Sequence, residues 1–212
     1  MADQRIQRRK QTLGNHRTPM QERSRARREE ILRITGALLE QVGFDGLTTI
    51  LIAKELKISV GSLYHYFPNK QAILYAIGEH WLEEYSRALE DIAAKDIESL
   101  QLEAFCQLFI QRLLKVYREQ KGMLPLVHAM SAVPELHDLD ESHDRMVISH
   151  MEALFERLNL DMDKAERKRK GRLWLEMGHA LLVTINEQSG AKAKRSLEDL
   201  VGLSVHLLET SH

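Results

Sequence analysis

The chain predicts an all-α protein: an N-terminal three-helix module with a helix-turn-helix, followed by a larger C-terminal helical domain. Apolar residues recur every three or four positions through most of the length, Gly, Pro and Asn interrupt them where helices should end, and few β-branched alternations compete. At 212 residues, with 43% apolar and 29% charged composition, the chain can bury a sizeable core and suits one small module plus a larger partner.

Residues 1–17 are polar and basic without periodicity and read as a disordered arm. Thr18 as N-cap, Pro19 at the first helical position and Gln21 three residues after the cap then open a helix. Its apolar face is Ile31, Ile34, Leu38 and Val42, and Gly43 closes it as a left-handed C-cap. Thr48 caps a short helix over 49–56; after a tight turn, Ser59 caps a second that runs to 66. Pro68-Asn69 stops that helix and caps the next, over 70–94, whose stripe is Ile73, Ile77, Trp81, Tyr85, Leu89 and Ile92. Its first turn belongs to the small module and its body to the larger one, so it can carry a movement between them. Further helices are expected over 99–120, 123–132, 139–158, 161–188 and 196–210, with breaks at Gly122, Pro134, Asn159 and Gly190. The domain boundaries are therefore an arm, 1–17, a helix-turn-helix domain, 18–69, and a helical domain, 70–212.

Charge divides along the same line. Residues 1–70 hold 13 Lys/Arg against 7 Asp/Glu, a balance of +6, and the other 142 carry −7. A basic segment favours approach to a polyphosphate through counterion release, while an acidic remainder stays off the duplex. No run nears the ~18 uninterrupted apolar residues of a membrane span. The opening stretch, with Asp3, Arg5, Arg8, Arg9 and Lys10, lacks the apolar centre of a secretory signal, so a cytoplasmic location without membrane contact is expected. The lone Cys106 excludes an internal disulfide and fits a reducing compartment.

Thr48-Thr49, Ile52-Ala53, the run Gly61-Ser62-Leu63-Tyr64-His65-Tyr66-Phe67 and Lys70 resemble, in register, the signature of the tetracycline-repressor (TetR) family of bacterial transcriptional regulators. Gly43-Phe44 and Gly46 sit where that family has a helix end and an aromatic plug. The resemblance covers about residues 27–75; beyond it, only length and helical character match. It implies a homodimeric repressor that binds a palindromic double-stranded operator and is released by a small-molecule effector, which the sequence does not identify. An effector-independent activator or architectural DNA binder would differ only in the second domain. Lys57 stands where a Gly is common at the turn, so the backbone must reach its conformation with a Cβ present. Ile50 and Leu51 occupy positions that are often charged, and either pack against the opening helix or leave an exposed apolar spot.

The resemblance lays the segment 59–66 in a major groove. That segment has no Arg, Lys, Asn or Gln, so base readout rests on Ser59, Ser62 and His65 hydrogen bonds and on Val60 against thymine methyls. Tyr64, Tyr66, Thr49 and Lys70 supply phosphate contacts. With Thr48 and Gly61 these form the DNA-contact set. Phe67 is read as a core plug, and Tyr66 as either core or contact. Arg5, Arg8, Arg9, Lys10 and Arg17 either enter a minor groove or form a solvated tail, unless Met20 is the true start.

The family resemblance also implies an effector pocket in the C-terminal helices. Its candidate lining is Phe105, Phe109, Leu113, Tyr117, Met130, Met151, Trp174 and Met177, most of which also suit an ordinary core. The dimer interface is placed on the last two helices, at Leu181, Thr184, Leu197, Leu200, Val201, Ser204 and Leu208, the alternative being that these stripes face the protomer's own core. No cofactor or metal is expected: His137, His143 and His150, with Asp138, Asp140 and Glu141, match no compact ligand spacing and read as a solvated loop entering a helix. His128 and His179 read as satisfied core or pocket-edge histidines, and Arg167 to Lys170 as an exposed helix face. A helical enzyme that keeps a helix-turn-helix for packing is the alternative from another class. Against it, the sequence shows no phosphate loop, nucleophile elbow or metal spacing.

Overall fold

A computed structural model describes residues 19–130 and 132–209, with side chains from Gln21 onward; the basic arm, the Thr18 cap and the helix end at Thr210 lie outside the described residues. The described residues form nine α-helices and one 3-10 turn: α1 (Pro19–Gly46), α2 (Thr49–Glu55), α3 (Val60–Tyr66), α4 (Lys70–Ala93), α5 (Leu102–Glu119), α6 (Met123–Met130), the turn Pro134–Leu136, α7 (His137–Arg157), α8 (Lys164–Asn186) and α9 (Gly190–Glu209). None of these helices is long and apolar enough to cross a membrane.

The head packs α1, α2 and α3 around Ile31, Leu38, Leu39, Leu47, Ile52, Leu63 and Phe67, all buried. The Arg28 guanidinium covers the Phe67 ring at 4.3 Å. The helical path of α1 breaks at Gly43, whose φ of 68° lies in the left-handed region that glycine adopts without strain. Just before this kink Val42 lies off the core face and is 41% exposed, while Thr35 and Leu39 take the inner positions.

Helix α4 spans 24 residues, about 36 Å at ~1.5 Å per residue. Its stripe of Ile73, Trp81, Tyr85, Leu89 and Ile92 is buried. It begins in the head, where the Asn69 side chain accepts the Ala72 N–H at 2.8 Å, and ends under Arg157. That arginine, from α7, donates to the Ala93 and Lys95 carbonyls and to Glu98, and this hydrogen bond holds the Glu98 carboxyl down at about 2.

A second joint ties head to body. The Gly122 N–H donates to Glu40 Oε2 at 2.6 Å, and a Cβ on Gly122 would lie 2.5 Å from the Gly36 carbonyl oxygen. Only two glycines allow α1 to pass this close to the entry of α6. The head is thus held by α4, which leaves it, and by α6, which docks on α1.

Several helix limits differ from the sequence reading. α8 starts at Lys164 because Asp163 accepts the Glu166 N–H at 2.8 Å and caps it. α9 starts at Gly190, well before residue 196, since Ala191 to Arg195 are good helix formers although little of that turn is buried.

Candidate nucleic-acid interface

The exposed edge of the head is built from two capped helices. Thr48 accepts the Leu51 N–H at 3.1 Å and opens α2; Ser59 accepts the Ser62 N–H at 3.0 Å and opens α3. Between them the chain turns through Lys57 at φ 55°, with Ile58 N donating to the Ala53 carbonyl and Lys57 N to that of Lys54. That pair of bonds is a helix-ending motif that usually carries glycine at the Lys57 position. The turn expected of a glycine therefore forms with a lysine.

On α3 the buried side is Leu63, and the outward side presents Ser59, Gly61, Ser62, Tyr64 and His65. Tyr64 is 47% exposed, and its hydroxyl lies 3.2 Å from that of Thr49, which locks α3 to the start of α2. Ser59 and Ser62 share a 2.8 Å hydroxyl contact, so part of their bonding capacity is used within the helix. His65 is exposed, with its ring edge-on to the half-buried Tyr66. Gly61 faces open space: a Cβ there would meet nothing closer than Ser59 Oγ at 3.8 Å.

Three members of the expected contact set are drawn inward. Val60 is half-buried and packs against the head core, as does Tyr66. Lys70 donates to the Phe44 carbonyl at 3.1 Å and sits 4.0 Å from the Phe44 ring centre, so it ties the start of α4 to the end of α1. Of the pair left open by the sequence, Leu51 packs on the core, whereas Ile50 is 70% exposed at the start of α2 beside Thr49.

The comparisons with known proteins agree with this architecture. Residues 31–77 match the family model "Bacterial regulatory proteins, tetR family", and residues 101–208, half of the chain, match "Tetracyclin repressor-like, C-terminal domain". The chain belongs to the TetR family. Among curated TetR relatives, the HTH-type transcriptional regulator BetI of Proteus mirabilis (strain HI4320) is 26% identical over 188 residues, covering 86% of this chain and 94% of that protein. The class G tetracycline repressor protein of Vibrio anguillarum is 44% identical over 55 residues, 26% of each chain. Two solved structures share the fold. Salmonella enterica GusR has a TM-score of 0.67 and 20% identity, over 92% of this chain and 100% of the other. AibR, in complex with isovaleryl coenzyme A and operator DNA, has a TM-score of 0.64 and 14% identity, over 87% and 100%. As a TetR protein the chain is a DNA-binding transcriptional regulator rather than an enzyme.

In this TetR chain the body departs from the sequence reading at two places. Phe105, Phe109, Leu113, Met151 and Trp174 are buried in the core, where Phe109 meets Trp174 edge-on at 4.8 Å, and Tyr117, also buried, lines a separate cavity of about 310 Å³ against Glu40 and Lys121. Of the eight expected pocket residues, Met130 alone lines the cavity of about 240 Å³ enclosed by α4, α6, α7 and α8. That cavity mixes polar and apolar walls, the latter from Val127, Met130 and Leu175. Trp81, His128, Asp140, His143, Asp144, Glu176 and His179 line it, a set that the apolar stripes gave no reason to combine. His143 is not in a solvated loop but buried on α7, stacked on Trp81 with ring centres 5.1 Å apart. His179 is pocket-edge as read, its Nδ1 2.7 Å from the Tyr117 hydroxyl, and burial lowers it to about 4.

The second departure is on α9. Leu200, Val201, Ser204 and Leu208 are turned into the protomer, and Ser204 accepts the Trp174 indole N–H at 3.0 Å, so these four pack in the protomer's own core. Leu181 and Leu197 are half-buried and Thr184 is exposed. The outward apolar residues of α8 and α9 are Leu173 and Leu203, 43% and 47% exposed. Lys170 also leaves the exposed face assigned to it; it is buried, donating to the Leu208 carbonyl at 3.4 Å. Cys106 is buried and its thiol pushed up to about 12, chiefly by desolvation, which leaves it no thiolate for nucleophilic chemistry.

Proposed function

We propose that the protein is a homodimeric repressor that grips an inverted-repeat operator with one α3 per protomer and releases it when a small molecule occupies the body. The reading is carried by the outward face of α3, where Gly61, Ser62, Tyr64 and His65 stand free of the core beside the α2 start. With no Arg, Lys, Asn or Gln on α3, base discrimination per half-site is modest, and contacts to phosphate by Thr48, Thr49 and Tyr64 set register and much of the affinity. Pairing is what makes so small a recognition element specific, and two heads bridging successive major grooves sit ~34–36 Å apart. The partner is received on the outward face of α8 and α9, at Leu181 and Thr184 with Leu173 and Leu203.

Effector control has a physical route. Trp81 of α4 and Val127 of α6 both line the cavity; α4 starts in the head, and α6 is tied to α1 through Gly122 and Glu40. A ligand that moves either helix changes the head spacing. AibR, of the same fold, has been captured with both isovaleryl coenzyme A and operator DNA, which supports a body that binds small molecules. Selecting bound fragments from host genomic DNA with the purified protein tests the proposal. A recovered inverted repeat bound by a dimer is expected; fragments without shared sequence would overturn it.

A further inference from the structure

We infer that the effector of this protein is a small, uncharged molecule carrying a hydroxyl or primary amide group, held in the cavity by the Trp81 indole N–H and His143 Nε2. The inference rests on the ligand-responsive reading above and names the chemistry of its site.

Two of the residues that line the cavity each hold a buried polar atom without a protein partner. Trp81 is 2% exposed and its Nε1 donates to nothing; His143 is 5% exposed and its Nε2 is likewise unpaired. Leaving such a group unsatisfied is costly, so two on stacked rings that both line one cavity mark a built site. The indole can only donate. The other imidazole nitrogen, Nδ1, lies 3.5 Å from Asp144 Oδ1, which fixes the tautomer with its proton toward the carboxylate. In that tautomer Nε2 offers a lone pair. One donor and one acceptor side by side match a group that both accepts and donates.

Charge narrows the class. Asp140, Asp144 and Glu176 stand on the wall, and the nearby Arg172 is already paired with Asp144 and Glu176. The hydrogen bond from His143, and then Arg172, keep Asp144 below the usual carboxylate range, so it is ionised. His179 is neutral at physiological pH because burial and the neighbouring histidines depress it. A carboxylate ligand therefore meets repulsion, and an ammonium cannot accept from Trp81. The cavity, about 240 Å³, falls just under the ~300 Å³ lower end of ligand pockets, so the molecule is small.

The site is also placed to report occupancy. Trp81 lies eleven residues into α4 from Lys70, about 16 Å along the helix. On the same helix Gly78 packs so tightly on Leu139 of α7 that a Cβ would come within 2.6 Å of Leu139 Cδ1. Displacement of α7 is transmitted to α4 directly.

The test uses the full-length protein and a single-ring series: benzyl alcohol, benzamide, toluene, benzoate and benzylamine. Binding is followed by the Trp81 indole ¹H–¹⁵N resonance, with Trp174→Phe identifying which of the two indole signals is which. Benzyl alcohol and benzamide should shift that signal saturably and bind about ten-fold tighter than toluene, with benzoate and benzylamine weaker. His143→Leu, followed by the Trp81 signal, and Trp81→Phe, followed by ligand-dependent thermal shift because it removes that signal, should each reduce the ten-fold preference to within about two-fold. Equal binding of toluene, preference for either charged probe, or a Trp81 signal moved by none of the five, as when water alone fills the cavity, would overturn the inference. Operator affinity is measured alongside. Probe binding that leaves operator affinity unchanged removes the repressor-release reading, whereas operator release without any Trp81 shift removes this site.

Discussion

The hydroxyl oxygens of Thr49 and Tyr64 lie 3.2 Å apart, joining the first turn of α2 to the exposed side of α3. In the proposed complex this contact sets the angle at which both residues would meet a duplex. Tyr64→Phe keeps the ring and removes the contact. Operator affinity should fall several-fold, about 1 kcal/mol, with the melting temperature nearly unchanged because the bond is solvent-exposed. Fluorescence anisotropy beside a thermal melt checks this; an unaltered operator affinity would remove Tyr64 from the interface.

Gly61 separates stability from binding. Its position is helical and open, so Gly61→Ala should stabilise α3 by up to ~1 kcal/mol. The added methyl stands on the face assigned to DNA, so affinity should drop at least ten-fold. A variant that is both more stable and equally tight would show that DNA does not approach this face closely.

Lys57 carries a backbone cost that glycine would relieve. At φ 55° an L side chain is strained, so Lys57→Gly should raise stability by about 1 kcal/mol in urea denaturation, offset in part by the looser unfolded chain. No gain would mean that neighbouring packing has already absorbed the strain.

The caps of the head were legible because Thr48, Ser59 and Asn69 act through their own side chains on amides three residues away, a purely local signal. The inward turn of Lys70 onto Phe44 was not, since those residues lie 26 apart in sequence. On α9 the stripe Leu200, Val201, Ser204 and Leu208 announced an apolar face but not which body it meets, and it meets α8 of its own chain. The cavity was hidden for a similar reason. Trp81 sits in register with Ile77 and Tyr85 and looks like ordinary core, while His143 lies among acidic residues that suggest a solvated surface. Only the packing of α4 on α7 makes them a pair.

Acid should weaken the body in a defined window. His179 ordinarily titrates at 6.5 and is lowered to about 4 by burial, with the histidines nearby adding to it. Above pH 6.5 it is neutral folded or unfolded, and its contribution is whole. Between 6.5 and 4 the unfolded chain takes up a proton that the folded chain refuses, so stability falls by an amount of order 3 kcal/mol, then levels off. His179→Gln should flatten this segment of the stability profile; an unchanged slope would place the proton uptake elsewhere.

The central claim, that paired heads read a duplex through α3, is tested most directly by titrating the purified protein with its selected inverted repeat and with a scrambled duplex at several salt concentrations. The account predicts a dimer that binds the repeat at least a hundred-fold tighter, at ~0.15 M salt, and loses that preference when Tyr64 and His65 are both changed to alanine. A monomer with the same weak affinity for both duplexes, or a preference that survives the double change, would contradict it.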